Sequence, residues 1–219
     1  MSKELLELVL ASQSPRRREL LSWLEIPFAI RPSEVEEVSD ATEHHLVAED
    51  LARLKGQDIL KSLYSEGKTN VLVVASDTMV CDEDKIYGKP KDTQQAKEFL
   101  LRLSGHTHQV ISSLYLGSFD PHNPGQILET TSHVKTAVTF SDFESEEEVL
   151  ENYLKTGDSL DKAGAYGIQG PSLTFIEKIS GSYSNVVGLP LYELRVLMKA
   201  FLSQHYGHRQ YLRDYFVKS

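Results

Sequence analysis

The sequence predicts a mixed α/β fold, and three observations predict it. Apolar runs of strand length alternate with amphipathic helical stretches from one end of the chain to the other. Two short apolar pairs, Met79-Val80 and Ile86-Tyr87, flank the polar turn Asp82-Glu83-Asp84-Lys85, the mark of a hairpin, so the sheet is not purely parallel. The composition is that of an ordinary globular protein, 40% hydrophobic and 25% charged over 219 residues, with a mean hydropathy of -0.31. A chain of this length buries a full core, either as one domain or as two small lobes.

The elements follow in order. Leu8-Val9-Leu10-Ala11 reads as a short buried strand, and residues 16–24 as a helix entered through Pro15. Apolar residues at 47, 51, 54, 59, 60 and 63 give a long amphipathic helix over residues 42–64. Val71-Leu72-Val73-Val74-Ala75 is a buried strand. Asp92 caps a helix running to residue 103, with Gln95 in the reciprocal position and Gly105 as its stop. Strands are expected near residues 108–116 and 132–140, and a helix opens at about Ser145. A further strand covers residues 174–179, and a last helix covers 190–202. Asp120-Pro121-His122-Asn123-Pro124-Gly125 reads as a surface loop, and the tail from Ser203 onward has no assignment.

Charge and cysteine usage narrow the partners. A formal charge of -9 argues against a general binder of nucleic acid or of anionic membranes, both of which need a basic surface. Cys81 is the only cysteine, so no intrachain disulfide forms and a reducing compartment is the natural reading. The start of the chain does not resemble a signal peptide, and no segment approaches the ~20 apolar residues that span a bilayer. The expectation is a soluble, cytoplasmic protein.

Four groups of residues are candidates for chemistry. In Ala11-Ser12-Gln13-Ser14-Pro15-Arg16-Arg17-Arg18, Ser14 suits an N-cap and Pro15 the first helical position. Three arginines then sit against the positive end of the helix dipole, which an anion would make favourable; otherwise they fan out to solvent. In Ala75-Ser76-Asp77-Thr78 an acid stands where an apolar run ends. A strand-end carboxylate there holds a divalent metal or deprotonates water, or merely forms a turn. Glu34, Glu36 and Glu37 offer a second carboxylate or a solvated face. Lys55 lies mid-helix, and Lys89 is set between Gly88 and Pro90, suited to phosphate or to a plain surface turn. Finally, Asp161-Lys162-Ala163-Gly164-Ala165-Tyr166-Gly167-Ile168-Gln169-Gly170 is glycine-rich. Gln169 there carries the carbonyl and amide that match the N3–H and O4 of uracil or thymine. His106 and His108 lack the partners of a structural zinc site, and the remaining histidines read as surface residues. No phosphate-loop, nucleophile-elbow or H-E-x-x-H motif is present in the sequence.

In order, Leu10-Ala11-Ser12-Gln13-Ser14-Pro15-Arg16-Arg17, Ala75-Ser76-Asp77-Thr78, Gly88-Lys89-Pro90, Ser104-Gly105-His106-Thr107-His108-Gln109-Val110, residues 161–170 and Val187-Gly188-Leu189-Pro190 resemble the Maf family of nucleotide pyrophosphatases, the septum-formation-inhibitor family. The resemblance covers residues 8–200 of a single domain over 1–219, leaving 203–219 as an extra tail. It implies a two-lobed α/β fold around a long mixed, twisted sheet flanked by helices, with a cleft for a nucleoside triphosphate. It also implies a homodimer and a divalent cation, magnesium or manganese. Carried across by motif, Asp77 is the catalytic acid-base residue, and Arg16, Thr78 and Gln169 set substrate choice. Glu37, Lys55 and Lys89 match other polar active-site positions, with Ser12 and Arg17 close by. The forms of these motifs resemble the branch acting on dTTP and UTP, rather than the sister branch that prefers 7-methyl-GTP. The segment 118–126 reads as a loop longer than in compact bacterial members.

The mechanism expected from this pattern has Asp77, with Glu37, hold the metal while one carboxylate takes a proton from water. Lys55, Lys89 and the arginine-rich helix start neutralise the phosphates as pyrophosphate leaves, and Gln169 and Thr78 read the base. Two alternatives stand beside it: a 7-methyl-GTP pyrophosphatase, and a nucleotide-binding regulator of cell division with little turnover.

Overall fold

The computed structural model describes residues 5–143 and 147–217. Its elements are β1 (Glu7–Leu10), α1 (Pro15–Ser22), β2 (Phe28–Ile30), α2 (His44–Ser65), β3 (Val71–Cys81), β4 (Ile86–Tyr87), α3 (Thr93–Leu103), β5 (Thr107–Asp120), β6 (Asn123–Phe140), α4 (Glu147–Lys155), β7 (Ile176–Ser180), α5 (Tyr183–Val187) and α6 (Leu191–Tyr206). The helix start expected near Ser145 lies outside the described residues. One mixed sheet follows the hydrogen-bonded order β2-β1-β3-β5-β6-β7, with β4 beside β3. The chain divides into two compact units, and β3, β5 and β6 each run through both.

The first unit comprises Met1–Asp77, Ser113–His133 and Leu189–Ser219. Here β1 lies parallel to both β2 and β3, in register Leu8↔Phe28 and Leu8↔Leu72. Parallel strands covered on both faces need apolar side chains at every position, which is why β1 and the first half of β3 read as unbroken apolar runs. Helix α2 lays Ala52, Ile59, Leu60 and Leu63 onto Val9, Val71, Val73, Tyr115 and Phe119. Gly56 makes this close approach possible, since a Cβ there would overlap the ring of Tyr115.

Three sequence readings are revised or completed in this region. The predicted loop over 120–125 is a tight reversal: the strands run to Asp120 and resume at Asn123. The Asp120 carboxylate accepts the His122 N–H at 2.7 Å, closing the turn in two residues, and the remainder of the segment is strand. The tail without assignment is ordered through residue 217. Helix α6 continues to Tyr206, a 3-10 turn spans Leu212–Tyr215, and Phe216 bridges to Leu6 just ahead of β1. Tyr215 and Phe216 are buried there. His45 and His133, read as surface residues, are half-buried, their rings tilted against each other with centroids 4.5 Å apart, and His133 Nδ1 lies 2.7 Å from Glu49.

The second unit comprises Thr78–Ser112 and Val134–Gly188. The hairpin pairs Val80 with Tyr87 and Cys81 with Ile86, as the flanking apolar pairs predict. Asp92 caps α3 through the Gln95 N–H at 2.8 Å, and Gln95 Oε1 accepts from the Lys91 N–H, one residue before the reciprocal partner expected. The core is aromatic: Phe140 meets Tyr166, His108 and Phe175 edge-on at centroid distances of 4.7, 4.8 and 5.1 Å. His108 joins that core, with Nε2 2.7 Å from the Tyr166 hydroxyl.

Candidate active site

In the first unit, the turn after β1 leads straight into α1. Ser14 is the N-cap of α1, its Oγ accepting from the Arg17 N–H at 3.4 Å, and Pro15 takes the first helical position. Ser12 is buried, and its Oγ accepts from the Ser14 N–H at 3.2 Å and from Arg17 Nη1 at 3.4 Å. Arg17 is thereby turned inward beside the start of its own helix. Desolvation lowers its pKa, and neighbouring Arg16 lowers it further, while the charges of Asp77 and Glu37 push it back up. Arg16 is half-buried and Arg18 exposed, so the three consecutive arginines do not share one environment.

Asp77 does not end a strand. It is the seventh residue of the eleven in β3, because the chain continues from Thr78 to Cys81 and pairs with β4. Its N–H donates to Ser113 Oγ at 3.3 Å, and Ser113 Oγ in turn donates to Ala48 O at 2.6 Å, tying β3 to the first turns of α2. Two turns further along α2, Lys55 places its ammonium 2.6 Å from Asp77 Oδ1 and 3.0 Å from Glu37 Oε1. The Lys55 and Asp77 side chains are only 14% and 13% exposed, whereas that of Glu37 is 52% exposed. Glu34 and Glu36 face solvent, so one glutamate of the acidic cluster reaches the site. Charges as sheltered as those of Lys55 and Asp77 are retained only when paired, so these two fix each other.

Among the described residues, no three histidine, cysteine, aspartate or glutamate side chains are grouped to hold a metal ion by themselves. What the triad offers is two carboxylates meeting at one cation. That donor set suits magnesium, which takes one or two carboxylates together with substrate phosphates and water, in preference to an all-protein cage.

In the second unit, Thr78 is half-buried on β3, its Oγ1 2.8 Å from Ser112 Oγ and 3.3 Å from Gly188 O. Lys89 is exposed in the turn after β4, beside Gly88. Gly88 O accepts the Gly164 N–H at 3.1 Å, which anchors the loop carrying Gln169 to the Lys89 turn. Gly164 has φ of 68° and packs against Val80, where a Cβ would stand 2.8 Å from the valine side chain. Thr78 and Val80, two apart on one strand, share a face, so the loop bearing half-buried Gln169 covers the face that presents Thr78.

Within the first unit, then, the fold brings Ser12, Arg17, Glu37, Lys55 and Asp77 together. The second unit holds Thr78, Lys89 and Gln169. Sequence reasoning missed Ser112, Ser113 and Asn185. The signal was there in Val110-Ile111-Ser112-Ser113-Leu114, where two adjacent serines interrupt an apolar strand and must find hydrogen bonds once buried.

Residues 7–201 match the Maf family, described as Maf-like protein. The chain belongs to the Maf family. Three relatives, each called dTTP/UTP pyrophosphatase, align along most of both chains. That of Moorella thermoacetica is 41% identical, covering 89% of this chain and 95% of the relative. Those of Alkaliphilus metalliredigens and Lachnoclostridium phytofermentans are 40% and 37% identical, covering 89% of this chain and 96% and 95% of theirs. Among solved structures, the Staphylococcus aureus Ham1 protein is similar at a TM-score of 0.41 and 17% identity, over 61% of this chain and 72% of that one. The match to the Maf family ends at residue 201, ahead of the segment whose Phe216 bridges to Leu6. No described helix of this Maf protein is long and apolar enough to cross a membrane.

Proposed function

We propose that this protein hydrolyses dTTP and UTP to the nucleoside monophosphate and pyrophosphate. The observation that carries the reading is the Lys55 ammonium gathering Asp77 and Glu37, in a chain 37–41% identical to relatives called dTTP/UTP pyrophosphatase. Water attacks the α-phosphorus, and the bond from that phosphorus to the α,β-bridging oxygen breaks. Pyrophosphate leaves with the bonding pair. One carboxylate of the triad takes the water's proton, and Lys55 holds Asp77 in place to receive it. Asp77 and Glu37 would also hold the magnesium or manganese ion, which supplies charge neutralisation at the phosphates when bound.

The remaining residues bind. Arg17, held inward by Ser12, and Arg16 beside it set guanidinium groups at the N-terminus of α1, where oriented N–H groups favour an anion. Lys89 adds a mobile positive charge for the triphosphate. Thr78 and Gln169 read the pyrimidine, with the glutamine amide matched to O4 and its carbonyl to an N–H. The same reading carries a homodimer working in the cytoplasm.

The test is pyrophosphate release from dTTP, UTP, CTP, 7-methyl-GTP and ATP, each with magnesium and with EDTA. Metal-dependent release fastest from dTTP or UTP is the expected result. Preference for 7-methyl-GTP overturns the substrate assignment, and tight binding with no release from any nucleotide overturns the enzyme.

A further inference from the structure

Residues 31–42 form neither helix nor strand, yet their exposure alternates at the start. Arg31, Ser33 and Val35 are half-buried while Pro32, Glu34 and Glu36 face solvent, the period of an extended chain. The odd positions meet α2 in reverse order. Arg31 forks onto Glu66 at 2.8 and 2.9 Å, and Ser33 Oγ donates to Asp58 Oδ2 at 2.7 Å. Glu37 Oε1 follows, 3.0 Å from Lys55 Nζ, and then Ser39 Oγ donates to Asp50 Oδ2 at 2.7 Å. The lengths agree: eight extended residues from Arg31 to Ser39 reach about 26 Å, and sixteen residues along α2 from Asp50 to Glu66 about 24 Å. The segment is a strap laid antiparallel along α2, and Glu37 rides in it between the two serines.

Both serines make the same clip. Each hydroxyl gives its proton to an aspartate carboxylate of α2 and accepts the backbone N–H two residues on, Val35 at 3.3 Å and Ala41 at 3.2 Å. The direction of each bond is settled, because a carboxylate accepts and a backbone N–H donates. Glu37 needs such help. Its side chain is half in solvent and its backbone belongs to no helix or strand, so holding one geometry costs conformational entropy that the clips have already met.

We propose that Ser33 and Ser39 are positioning residues that keep Glu37 in register with Lys55 and Asp77, so that both carboxylates serve the divalent cation together. The inference rests on the reading of Glu37 and Asp77 as the ligands of that cation. Each serine acts through the strap, by fixing where Glu37 stands.

The test titrates manganese(II) into the full chain with the uncleavable α,β-imido-UTP. Binding is read as loss of the free-ion EPR signal beyond that caused by the nucleotide alone. Replacing both serines, Ser33→Ala with Ser39→Ala, is expected to weaken binding about tenfold, the usual cost of removing groups that orient a metal ligand. Ser33→Thr with Ser39→Thr keeps both hydroxyls and is expected to bind like wild type. A purely structural role would lower the urea midpoint of the alanine variant and leave its manganese affinity unchanged, and that result overturns the proposal. Should the double variant not fold, each single alanine is expected to weaken binding about threefold, half the effect on a logarithmic scale. Unchanged affinity in both singles overturns the proposal equally. Glu37→Gln separates this inference from the reading beneath it. If that variant binds more weakly while the serine variants match wild type, this inference alone fails. If it binds like wild type, or wild type takes up no manganese, the assignment of Glu37 as a ligand fails and this inference with it.

Discussion

The ammonium of Lys55 lies 2.6 Å from Asp77 Oδ1, and both side chains are largely withdrawn from water. A contact this sheltered does two jobs. It makes the ionised carboxylate tolerable inside the protein, and it aims that carboxylate. Asp77→Asn keeps the shape but gives up a proton acceptor, so kcat should fall by about two to four orders of magnitude with KM changed far less. Lys55→Met leaves Asp77 as an uncompensated buried charge. That variant should lose both turnover and about 1–3 kcal/mol of stability in urea denaturation, the lower range because Glu37 is half in solvent. Near-normal kcat in Asp77→Asn would remove the residue from the mechanism.

Gly56 follows Lys55 on α2 and lies against the Tyr115 ring, whose hydroxyl donates to Glu129 at 2.9 Å. On helix propensity alone, Gly56→Ala would stabilise α2 by about 1 kcal/mol. Overlap with a buried aromatic ring costs about 1–3 kcal/mol, and the ring is held on its far side. The net effect should be destabilisation, and because Lys55 rides on the same turn, kcat should drop as well. A raised melting temperature with full activity would show that α2 can retreat from the sheet without moving its lysine.

Much of this site was legible in the sequence because its residues sit in short, contiguous segments. The Ser14 cap, Pro15 and the arginines are local chemistry, and local chemistry survives folding. Asp77 reads as a strand end, because the polar pair Ser76-Asp77 interrupts the apolar run and hides its continuation to Cys81. That continuation depends on pairing with β4, which no window around Asp77 reports. The choice of Glu37 from three nearby glutamates followed from the family motif; the geometry that sets it apart from Glu34 and Glu36 is Lys55 reaching one of them across eighteen positions of chain. Ser113 and Asn185 act through partners 36 and 73 residues away, so nothing next to them in the chain marks their task.

His108 gives the fold a pH dependence. Burial lowers its pKa to about 4, with the Asp82 charge opposing, and its Nδ1 finds no hydrogen-bond partner among the described residues. An unfolded histidine titrates near 6.5. Between those values the unfolded chain binds a proton that the folded chain refuses, so this contribution to stability is fully present above about pH 6.5 and shrinks as pH falls toward 4. The full span is worth about 3 kcal/mol. His108→Gln cannot titrate, so its stability should fall less steeply over that interval than the wild type's, even from a lower starting point. Urea unfolding at several pH values reads the difference between the two chains, in which the slope from ordinary carboxylates cancels. Parallel curves would mean that His108 is protonated in the folded protein.

The segment after α6 should serve stability and leave chemistry alone. Leu6 N–H donates to Tyr215 O at 2.8 Å, and Val217 N–H donates to Leu6 O at 3.1 Å, so the segment pairs with the chain just before β1. The Tyr215 hydroxyl donates to Gly207 O and accepts the Arg209 N–H, both at 2.9 Å, which closes the segment on itself. Phe216 is 1% exposed, and truncating a buried phenylalanine costs about 3–5 kcal/mol. Against a typical total of about 5–15 kcal/mol, Phe216→Ala should bring the unfolding midpoint down sharply. Tyr215 and Phe216 bond to Gly207, Arg209, Arg213 and Leu6, while Asp77 and Glu37 meet at Lys55, so kcat/KM measured well below that midpoint should match the wild type. Loss of turnover without loss of stability would show that the segment acts on the reaction itself.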